Sequence, residues 1–221
     1  MSIRAFVFDA YGTLFDVHAA IARHHDSVGP DAGRLSEIWR SKQLEYSWTL
    51  TLAGRYVDFW ILTQRALDYA LARLPSVDQQ VRARLLEAYF QLDAYPDARE
   101  TLEQIKSRGK GTAILSNGSR QMLEAAVNAA GLRPCLDAVL SVDAIGIYKP
   151  RPEVYAMTTE ALRLRADEMA FVSSNRWDVM GAALAGFQTI WINRGGLPDE
   201  YADHPAAAVM PDLGGVPSLA V

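Results

Sequence analysis

The spacing of apolar residues differs between two parts of the chain. In residues 34–48 and 56–74, apolar and aromatic side chains recur three and four positions apart with charged residues between them, which is the spacing of amphipathic helices. A further helix follows and ends near Gln91, and Ser76 or Asp78 is predicted as its N-cap. No strand pattern interrupts this part of the chain, so we predict that it is helical.

The remainder of the chain alternates between short apolar runs and helical segments. The predicted elements are a strand at 3–8, then, after Pro96, a helix ending at Lys106, a strand at 112–115, a helix at 122–130, a strand at 138–142, a helix at 153–162, a strand at 170–173, a helix at 179–185, a strand at 189–192 and a late strand at 207–209. Short apolar strands separated by helices are typical of a parallel sheet covered on both faces. We therefore predict an α/β fold, with a Rossmann-like core of residues 1–15 and 96–221 and a helical cap of residues 16–95 inserted after strand 1.

Polar side chains follow several of the predicted strands at the point where each strand ends. They are Asp9, Thr13, Ser116, Asn117, Ser173, Asn175 and Asp178, with Lys149 in a segment between them. Because ligands of open parallel sheets bind at the carboxyl ends of the strands, we expect these side chains to converge. A single Asp or Ser after a strand is often only a helix N-cap, but their joint occurrence indicates a catalytic site.

Composition favours chemistry on small molecules. Apolar residues make up 50% of the 221 residues, the formal net charge is −4, and no block of Lys and Arg predicts binding to nucleic acid or to a membrane surface. The first apolar run is too short for a secretory signal, and no run approaches about 18 residues, so we expect a cytoplasmic chain. Cys135 is the only cysteine, which excludes an internal disulfide and argues against a thiolate metal cluster.

Four segments resemble the motifs of the haloacid dehalogenase superfamily. They are Phe8-Asp9-Ala10-Tyr11-Gly12-Thr13, Ser116-Asn117-Gly118, Lys149-Pro150 and Ser173-Ser174-Asn175-Arg176-Trp177-Asp178. Within it, the chain looks most like the L-2-haloacid dehalogenases, because residues 9–17 and the cap segment 38–46 also match, and the resemblance covers nearly the whole chain. It implies an SN2 dehalogenase of short-chain (S)-2-haloacids or haloacetates, including fluoroacetate. Asp9 would attack the α-carbon with inversion, halide would leave, and water would hydrolyse the aspartyl ester to an (R)-2-hydroxyacid.

The same resemblance implies a role for each candidate residue. The catalytic set is Asp9, Thr13, Arg40, Ser116, Lys149, Tyr155, Ser173, Asn175 and Asp178. Arg40 and Asn117 would bind halide, and the substrate would lie against Tyr11, Leu44, Phe59, Ser116, Asn117 and Trp177. In the second half-reaction, Asn175 or Asp178 would activate water, while Thr13 and Ser173 hold Asp9 and Lys149 in place. For Tyr155, a supporting hydrogen bond and simple core packing both stay open. The resemblance also implies a homodimer and no metal or cofactor.

The residue types suit this chemistry on physical grounds. An ammonium such as that of Lys149, within a few ångströms of Asp9, lowers a carboxyl pKa by about 1–3 units and favours the ionised nucleophile. A carboxylate is a weak nucleophile, and alignment of the reactants can supply about 7–11 kcal/mol of the barrier. The departing halide needs no proton but does need positive charge and hydrogen-bond donors, which Arg40 and Asn117 would supply.

Tyr11 argues against the main alternative, a magnesium-dependent phosphatase of the same superfamily. Those relatives carry a second aspartate two residues after the nucleophile, which protonates the leaving group, and a tyrosine cannot do so at neutral pH. A hydrolase of another electrophilic carbon stays open, whereas an intact Asp9, Lys149 and Asp178 argue against a catalytically silent binding protein. Two positions are noteworthy: Ser41 stands where the family pattern has Gln, and Arg176 is expected to lie outside the pocket.

Overall fold

A six-stranded parallel sheet forms the centre of the computed structural model, which describes residues 2–220. Its strands are β1 (Ala5–Phe8), β2 (Gly111–Ser116), β3 (Ala138–Ser141), β4 (Met169–Ser173), β5 (Gln188–Ile192) and β6 (Ala208–Met210). Their order across the sheet is β3-β2-β1-β4-β5-β6, and each neighbouring pair is parallel. The predicted α/β fold with a parallel sheet is confirmed.

The central position of β1 explains both its composition and the location of Asp9. All four of its residues are buried, because the sheet is covered on both faces. Phe8 pairs with Ile114 of β2 on one side and with Val172 of β4 on the other. Asp9 therefore leaves the sheet between the ends of two neighbouring strands, where its backbone N–H donates to the carbonyl of Val172 at 2.9 Å.

Helices fill the segment between β1 and residue 96. They are α1 (Ala19–Ala22), α2 (His25–Val28), α3 (Ala32–Leu52), α4 (Phe59–Arg73) and α5 (Arg82–Phe90), with a 3-10 turn at Gln79–Val81. Asp58 caps α4 by accepting from the N–H groups of Trp60 and Ile61, and Asp78 caps the 3-10 turn. The predicted cap helices are present, and α3 extends beyond its predicted ends. The single-turn helices α1 and α2 were not predicted, because four residues are too few for a helical period to appear.

Four further helices follow residue 96, and they cover the two faces of the sheet. They are α6 (Ala98–Ser107), α7 (Arg120–Ala129), α8 (Pro152–Leu162) and α9 (Arg176–Leu184). The observed α9 starts three residues before its predicted start, which places Asp178 in its first turn. None of the helices in residues 2–220 is long and apolar enough to cross a membrane.

The segment from 16 to 95 leaves and rejoins the sheet through two adjacent linkers. The N–H of Asp16 donates to the carbonyl of Asp93 at 3.0 Å, and the N–H of Tyr95 donates to the carbonyl of Leu14 at 2.8 Å. Buried apolar residues nevertheless form one connected cluster that runs from the sheet into the helices of this segment. The division into a core and a cap at residues 16–95 stays a prediction.

Candidate active site

Asp9 is held by contacts on both carboxylate oxygens. Its Oδ1 lies 3.1 Å from Nζ of Lys149, while its Oδ2 accepts from Nδ2 of Asn175 at 2.7 Å and from the hydroxyl of Thr13 at 3.2 Å. The Thr13 hydroxyl in turn accepts from the backbone N–H of Ser174 at 2.9 Å. Donors drawn from three segments of the chain thus orient a carboxylate that is only 6% exposed.

Lys149 lies between two carboxylates in the interior. Its Nζ contacts Oδ2 of Asp178 at 2.8 Å as well as Asp9, and its side chain is fully buried. Burial by itself lowers the pKa of Lys149, but the two neighbouring carboxylates outweigh that effect and raise it. The lysine is therefore a charged ammonium that neutralises part of the negative charge at the sheet edge.

Asp178 is the second buried carboxylate, and it has three hydrogen-bond donors. The hydroxyl of Tyr155 donates to its Oδ1 at 2.8 Å, and the hydroxyl of Ser173 donates to its Oδ2 at 3.2 Å, beside the ammonium of Lys149. Burial raises the pKa of Asp178 to about 6, and repulsion from Asp9 adds to the rise, whereas Lys149 and Tyr155 oppose it. The Ser173 hydroxyl bonds to Asp178 rather than directly to Lys149, and its Oγ accepts from the backbone N–H of Asn175 at 3.1 Å, so it contacts Lys149 through Asp178.

Arg40 extends from α3 towards the residues around Asp9. Its Nη2 lies 3.3 Å from the backbone carbonyl of Tyr11 and 3.4 Å from Oδ1 of Asn175. Both distances are long for hydrogen bonds that a guanidinium donates. The charged group is thus near Asp9, with donor capacity left for an anion.

Asn117 contributes an unpaired donor to the same region. Its Oδ1 accepts from the backbone N–H of Lys149 at 2.9 Å, which fixes the orientation of the amide. Its Nδ2 is buried and has no hydrogen-bond partner within residues 2–220. Since buried polar groups are nearly always paired, an unpaired amide N–H here indicates a place where a ligand binds.

Tyr11 forms an aromatic wall next to Asp9. Its ring lies 6.5 Å from that of Phe59 and packs so closely on Gly118 that a Cβ there would fall 2.4 Å from its Cε2. Burial raises the pKa of Tyr11 well above its usual value, so the phenol stays neutral. Position 118 therefore tolerates only glycine if the ring is to lie flat beside the strand end.

Ser116 ends β2 within the same sheet edge. It is buried, and its Oγ accepts from the N–H of Gly118 at 3.0 Å, which leaves the hydroxyl proton for another acceptor. The loop from Ser116 to Ser119 is thereby held in a tight turn before α7.

The remaining predicted wall residues are Leu44 on α3 and Trp177 on α9. Leu44 is one turn beyond Arg40 and one turn before Trp48, so the three share a face. Trp48 packs edge-on against Trp177 at 5.4 Å between ring centroids. A cavity of about 320 Å³ opens beside this pair, and its lining includes Lys149, Thr51, Met180 and Tyr201.

The chain is similar in sequence and fold to known proteins. A family model for haloacid dehalogenase-like hydrolases matches residues 3–186. (S)-2-haloacid dehalogenase 1 of Pseudomonas sp. (strain CBS-3) is 50% identical over 218 residues, which cover 98% of this chain and 96% of that protein. (S)-2-haloacid dehalogenase 4A of Burkholderia cepacia is 52% identical over 205 residues, covering 92% and 89%. A solved dehalogenase with an intermediate complex superposes with a TM-score of 0.96 at 49% identity and covers 99% of this chain and 97% of its own.

The chain belongs to the haloacid dehalogenase-like hydrolases. The resemblance predicted from the four motifs is confirmed, including the likeness to the L-2-haloacid dehalogenases. Within residues 2–220, no group of three His, Cys, Asp or Glu side chains is placed to hold a metal ion. In this member of the family, the ammonium of Lys149 occupies the space between the two buried carboxylates.

The family fold brings most of the predicted residues into direct contact. One connected set of hydrogen bonds joins Asp9, Thr13, Arg40, Lys149, Tyr155, Ser173, Asn175 and Asp178, and Asn117 joins it through the backbone of Lys149. For Tyr155 the structure has both features that the sequence left open, since it hydrogen-bonds to Asp178 and packs edge-on against Phe171 at 5.5 Å.

Arg176 lies away from Asp9, as expected from its charge. It is buried and forms an ion pair with Asp199 at 2.7 Å. Its Nη2 also donates to the carbonyls of Tyr201 and His204, each at 2.7 Å. This guanidinium holds the loop that follows β5 against α9, next to Trp177.

Sequence reasoning missed two aromatic residues near the site, Tyr89 and Trp48. Tyr89 stacks on Tyr11 with ring centroids 6.0 Å apart and an interplanar angle of 5°. In the sequence, Tyr89 follows Leu85 and Leu86 at helical spacing, which is also the pattern of an ordinary core residue. Only the polar character of its buried hydroxyl could have signalled a second role.

Proposed function

We propose that this protein is a hydrolytic dehalogenase that converts short-chain (S)-2-haloacids into (R)-2-hydroxyacids and halide. The observation that carries the proposal is the contact of Asp9 with the ammonium of Lys149 on one oxygen and with Asn175 and Thr13 on the other. These contacts orient the carboxylate and place an ammonium beside it, an arrangement suited to nucleophilic attack. The relatives named (S)-2-haloacid dehalogenase, at 50% and 52% identity, support the same reaction.

In the first step, a carboxylate oxygen of Asp9 forms a bond to the α-carbon of the substrate. The carbon–halogen bond breaks on the opposite face, the halide leaves with the bonding electrons, and the configuration at the carbon inverts. Arg40 and the unpaired Nδ2 of Asn117 supply charge and a hydrogen bond to the departing halide. Ser116 and backbone N–H groups near Tyr11 and Asn117 hold the substrate carboxylate.

In the second step, water adds to the carbonyl carbon of the new aspartyl ester. Asp178 in its ionised form is close to Lys149 and Asn175 at the same sheet edge, and it takes the proton from water. The ester bond then breaks between the Asp9 carbonyl carbon and the oxygen that attacked. That oxygen takes the proton back from Asp178 and leaves as the hydroxyl of the product, while the second proton of the water passes to solvent. The Asp9 carboxylate is restored with one oxygen from water.

A halide-release assay on separate (S)- and (R)-2-chloropropionate and on fluoroacetate, with and without EDTA, tests this function. We expect release from the (S)-enantiomer that EDTA does not abolish, and none from Asp9→Asn. A parallel assay with a phosphate ester and Mg²⁺ addresses the phosphatase alternative. Halide release that survives Asp9→Asn, or activity found only with Mg²⁺ and a phosphate ester, would overturn the proposal.

A single turnover in oxygen-18-labelled water tests the covalent intermediate. With enzyme in excess over substrate, the label should enter the Asp9 carboxylate and be absent from the hydroxyacid. Direct attack of water on the substrate would instead place the label in the product. Peptide mass spectrometry of the segment that contains Asp9 distinguishes the two.

The assembly and cellular location are further parts of the proposal. We infer a homodimer, with the long helices α3 and α4 as candidate surfaces, and a cytoplasmic location. Sedimentation velocity at several protein concentrations tests the first, since a monomer at all concentrations would contradict it. Cell fractionation of the producing organism tests the second.

A further inference from the structure

Tyr89 of α5 lies beside the proposed halide site and has no role in the mechanism above. It is only 2% exposed, and its ring is enclosed between two others. Tyr11 stacks parallel to it at 6.0 Å, and Trp39 packs against it at 4.9 Å with an angle of 43°. These two contacts fix the Tyr89 ring, and with it the hydroxyl, beside Tyr11, which follows β1.

The proton of that hydroxyl is committed to Gln43. The Tyr89 hydroxyl donates to Oε1 of Gln43 at 3.2 Å, and Nε2 of Gln43 donates to the hydroxyl of Thr63 at 3.1 Å. Gln43 is completely buried, so no water competes for these bonds. A phenol has one proton and two lone pairs, and the oxygen of Tyr89 is therefore left as an acceptor for another group.

Arg40 is adjacent to two residues that contact Tyr89, namely Gln43 and Tyr11. It precedes Gln43 by three residues on α3, which places the two side chains next to each other on the helix surface. Nη2 of Arg40 also lies 3.3 Å from the backbone carbonyl of Tyr11, the residue on whose ring Tyr89 stacks. In keeping with this proximity, burial raises the pKa of Tyr89 and Arg40 opposes the rise.

The other contacts of Arg40 leave it loosely held. Both come from Nη2, at 3.3 Å to the Tyr11 carbonyl and 3.4 Å to Asn175. We propose that Tyr89 is a positioning residue for halide departure: its hydroxyl oxygen accepts from Arg40 and holds the guanidinium where the halide leaves the α-carbon. The inference rests on the proposed dehalogenase function.

The position of the Arg40 guanidinium should affect the departure of chloride, bromide and iodide to different extents. A chloride is the poorest leaving group among chloride, bromide and iodide, so its departure gains most from a well-placed positive charge. A loss of Arg40 alignment should therefore slow release of chloride more than release of iodide. A purely structural loss would instead slow all three by the same factor.

The test is Tyr89→Phe, which keeps the aromatic ring and its stacking but removes the hydroxyl. Single-turnover halide release is measured from (S)-2-chloro-, 2-bromo- and 2-iodopropionate, together with inhibition by added chloride and bromide. We expect release of chloride to fall about tenfold, as for loss of one charge-assisted hydrogen bond, with a smaller fall for iodide and weaker halide inhibition. Equal losses for the three halogens with unchanged halide inhibition would overturn the inference.

Two controls separate positioning from stability. Tyr69→Phe removes another phenol of the same segment, one that contacts Arg73 and Lys42 rather than the site, and should keep wild-type rates. A double-mutant cycle with Arg40→Lys should show that the two losses overlap, because both act through the guanidinium. Strictly additive losses would contradict the coupling.

The outcomes also separate this inference from the function on which it rests. A wild-type protein that releases no halide from any of the three substrates overturns the proposed function. If the wild-type protein releases halide and Tyr89→Phe slows the release of all three halides by the same factor, only the role of Tyr89 is overturned. If Tyr89→Phe does not fold, Thr63→Val removes the acceptor that orients Gln43 and must show the same order of losses.

Discussion

Nζ of Lys149 lies 2.8 Å from Oδ2 of Asp178, deep inside the sheet edge. The distance from the same nitrogen to Oδ1 of Asp9 is 3.1 Å. Two carboxylates thus share one ammonium, and both lose that partner if the lysine is removed. The electrostatics of the site therefore depend on all three groups together.

Activity should have an acidic limb set by Asp178. Its pKa is raised to about 6 by burial, and only the ionised form can take a proton from water. We expect kcat to fall about tenfold for each pH unit below pH 6. A pH profile of kcat that is flat between pH 5 and 7 would contradict this role.

The raised pKa of Asp178 also makes the free energy of unfolding depend on pH. The folded-state pKa of Asp178 lies above the ordinary value of 3.8, so the folded protein binds this proton more tightly than the unfolded chain does. The contribution of Asp178 to the free energy of unfolding is therefore highest below about pH 4 and falls as pH rises to about 6. Urea unfolding of wild type and Asp178→Asn across this range measures it, and the variant should lack that part of the pH dependence.

Lys149→Met should destabilise the fold in a pH-dependent way. It leaves Asp9 and Asp178 as buried charges without their partner, for which losses of roughly 3–5 kcal/mol are typical. The loss should be largest near pH 8 and smaller near pH 5, because protonation removes the unpaired charge. Urea unfolding at the two pH values tests this, and an equal loss at both would indicate that packing alone is affected. Dehalogenation by this variant should be abolished.

Gly181→Ala should disturb the site through Tyr155. A Cβ at position 181 would lie 2.4 Å from the Tyr155 hydroxyl and 2.8 Å from Cβ of Pro150, so the phenol must move away from Asp178. We expect kcat to fall by about tenfold, and the losses in Gly181→Ala and Tyr155→Phe to overlap in the double variant.

The matched control for that substitution is Gly33→Ala. Gly33 also lies in a helix, and nothing stands within 4 Å of the Cβ that alanine would add. Its activity should equal wild type, and its stability should rise slightly, since alanine favours a helix over glycine by about 1 kcal/mol. A loss in Gly33→Ala as large as in Gly181→Ala would show that helix substitutions in general impair the enzyme.

Tyr56→Phe should loosen the contact between the helical segment and the sheet. The Tyr56 hydroxyl donates to Asp143, whose other oxygen accepts from the N–H of Arg120 at 2.7 Å. Since Tyr56 is half-buried, we expect a loss of about 1 kcal/mol in the free energy of unfolding. Hydrogen exchange should also become faster near residues 54–58. Tyr69→Phe serves again as the control, and unchanged exchange near Tyr56 would refute the prediction.

The order of elements could be predicted because it depends on short-range patterns. A buried central strand requires a continuous apolar run such as Ala5–Phe8, and amphipathic helices such as α4 require a period near 3.6. Parallel strands also end at one edge, so the convergence of Asp9, Asn175 and Asp178 followed from their places after strands. The one-turn helices and the partner of Ser173 did not follow, because neither leaves a periodic signal.

The sequence by itself thus determined the α/β fold, the family and the residues that meet at the sheet edge. Only the tertiary structure decided which atoms pair there, since those bonds join side chains as far apart in the chain as Asp9 and Asn175. It also decided the pKa of Asp178, which depends on burial and on distances to Lys149 and Asp9. The place of Tyr89 against Tyr11 and Gln43 was also decided by the tertiary structure, because a tyrosine at helical spacing has the same local pattern whether or not its hydroxyl has a polar partner.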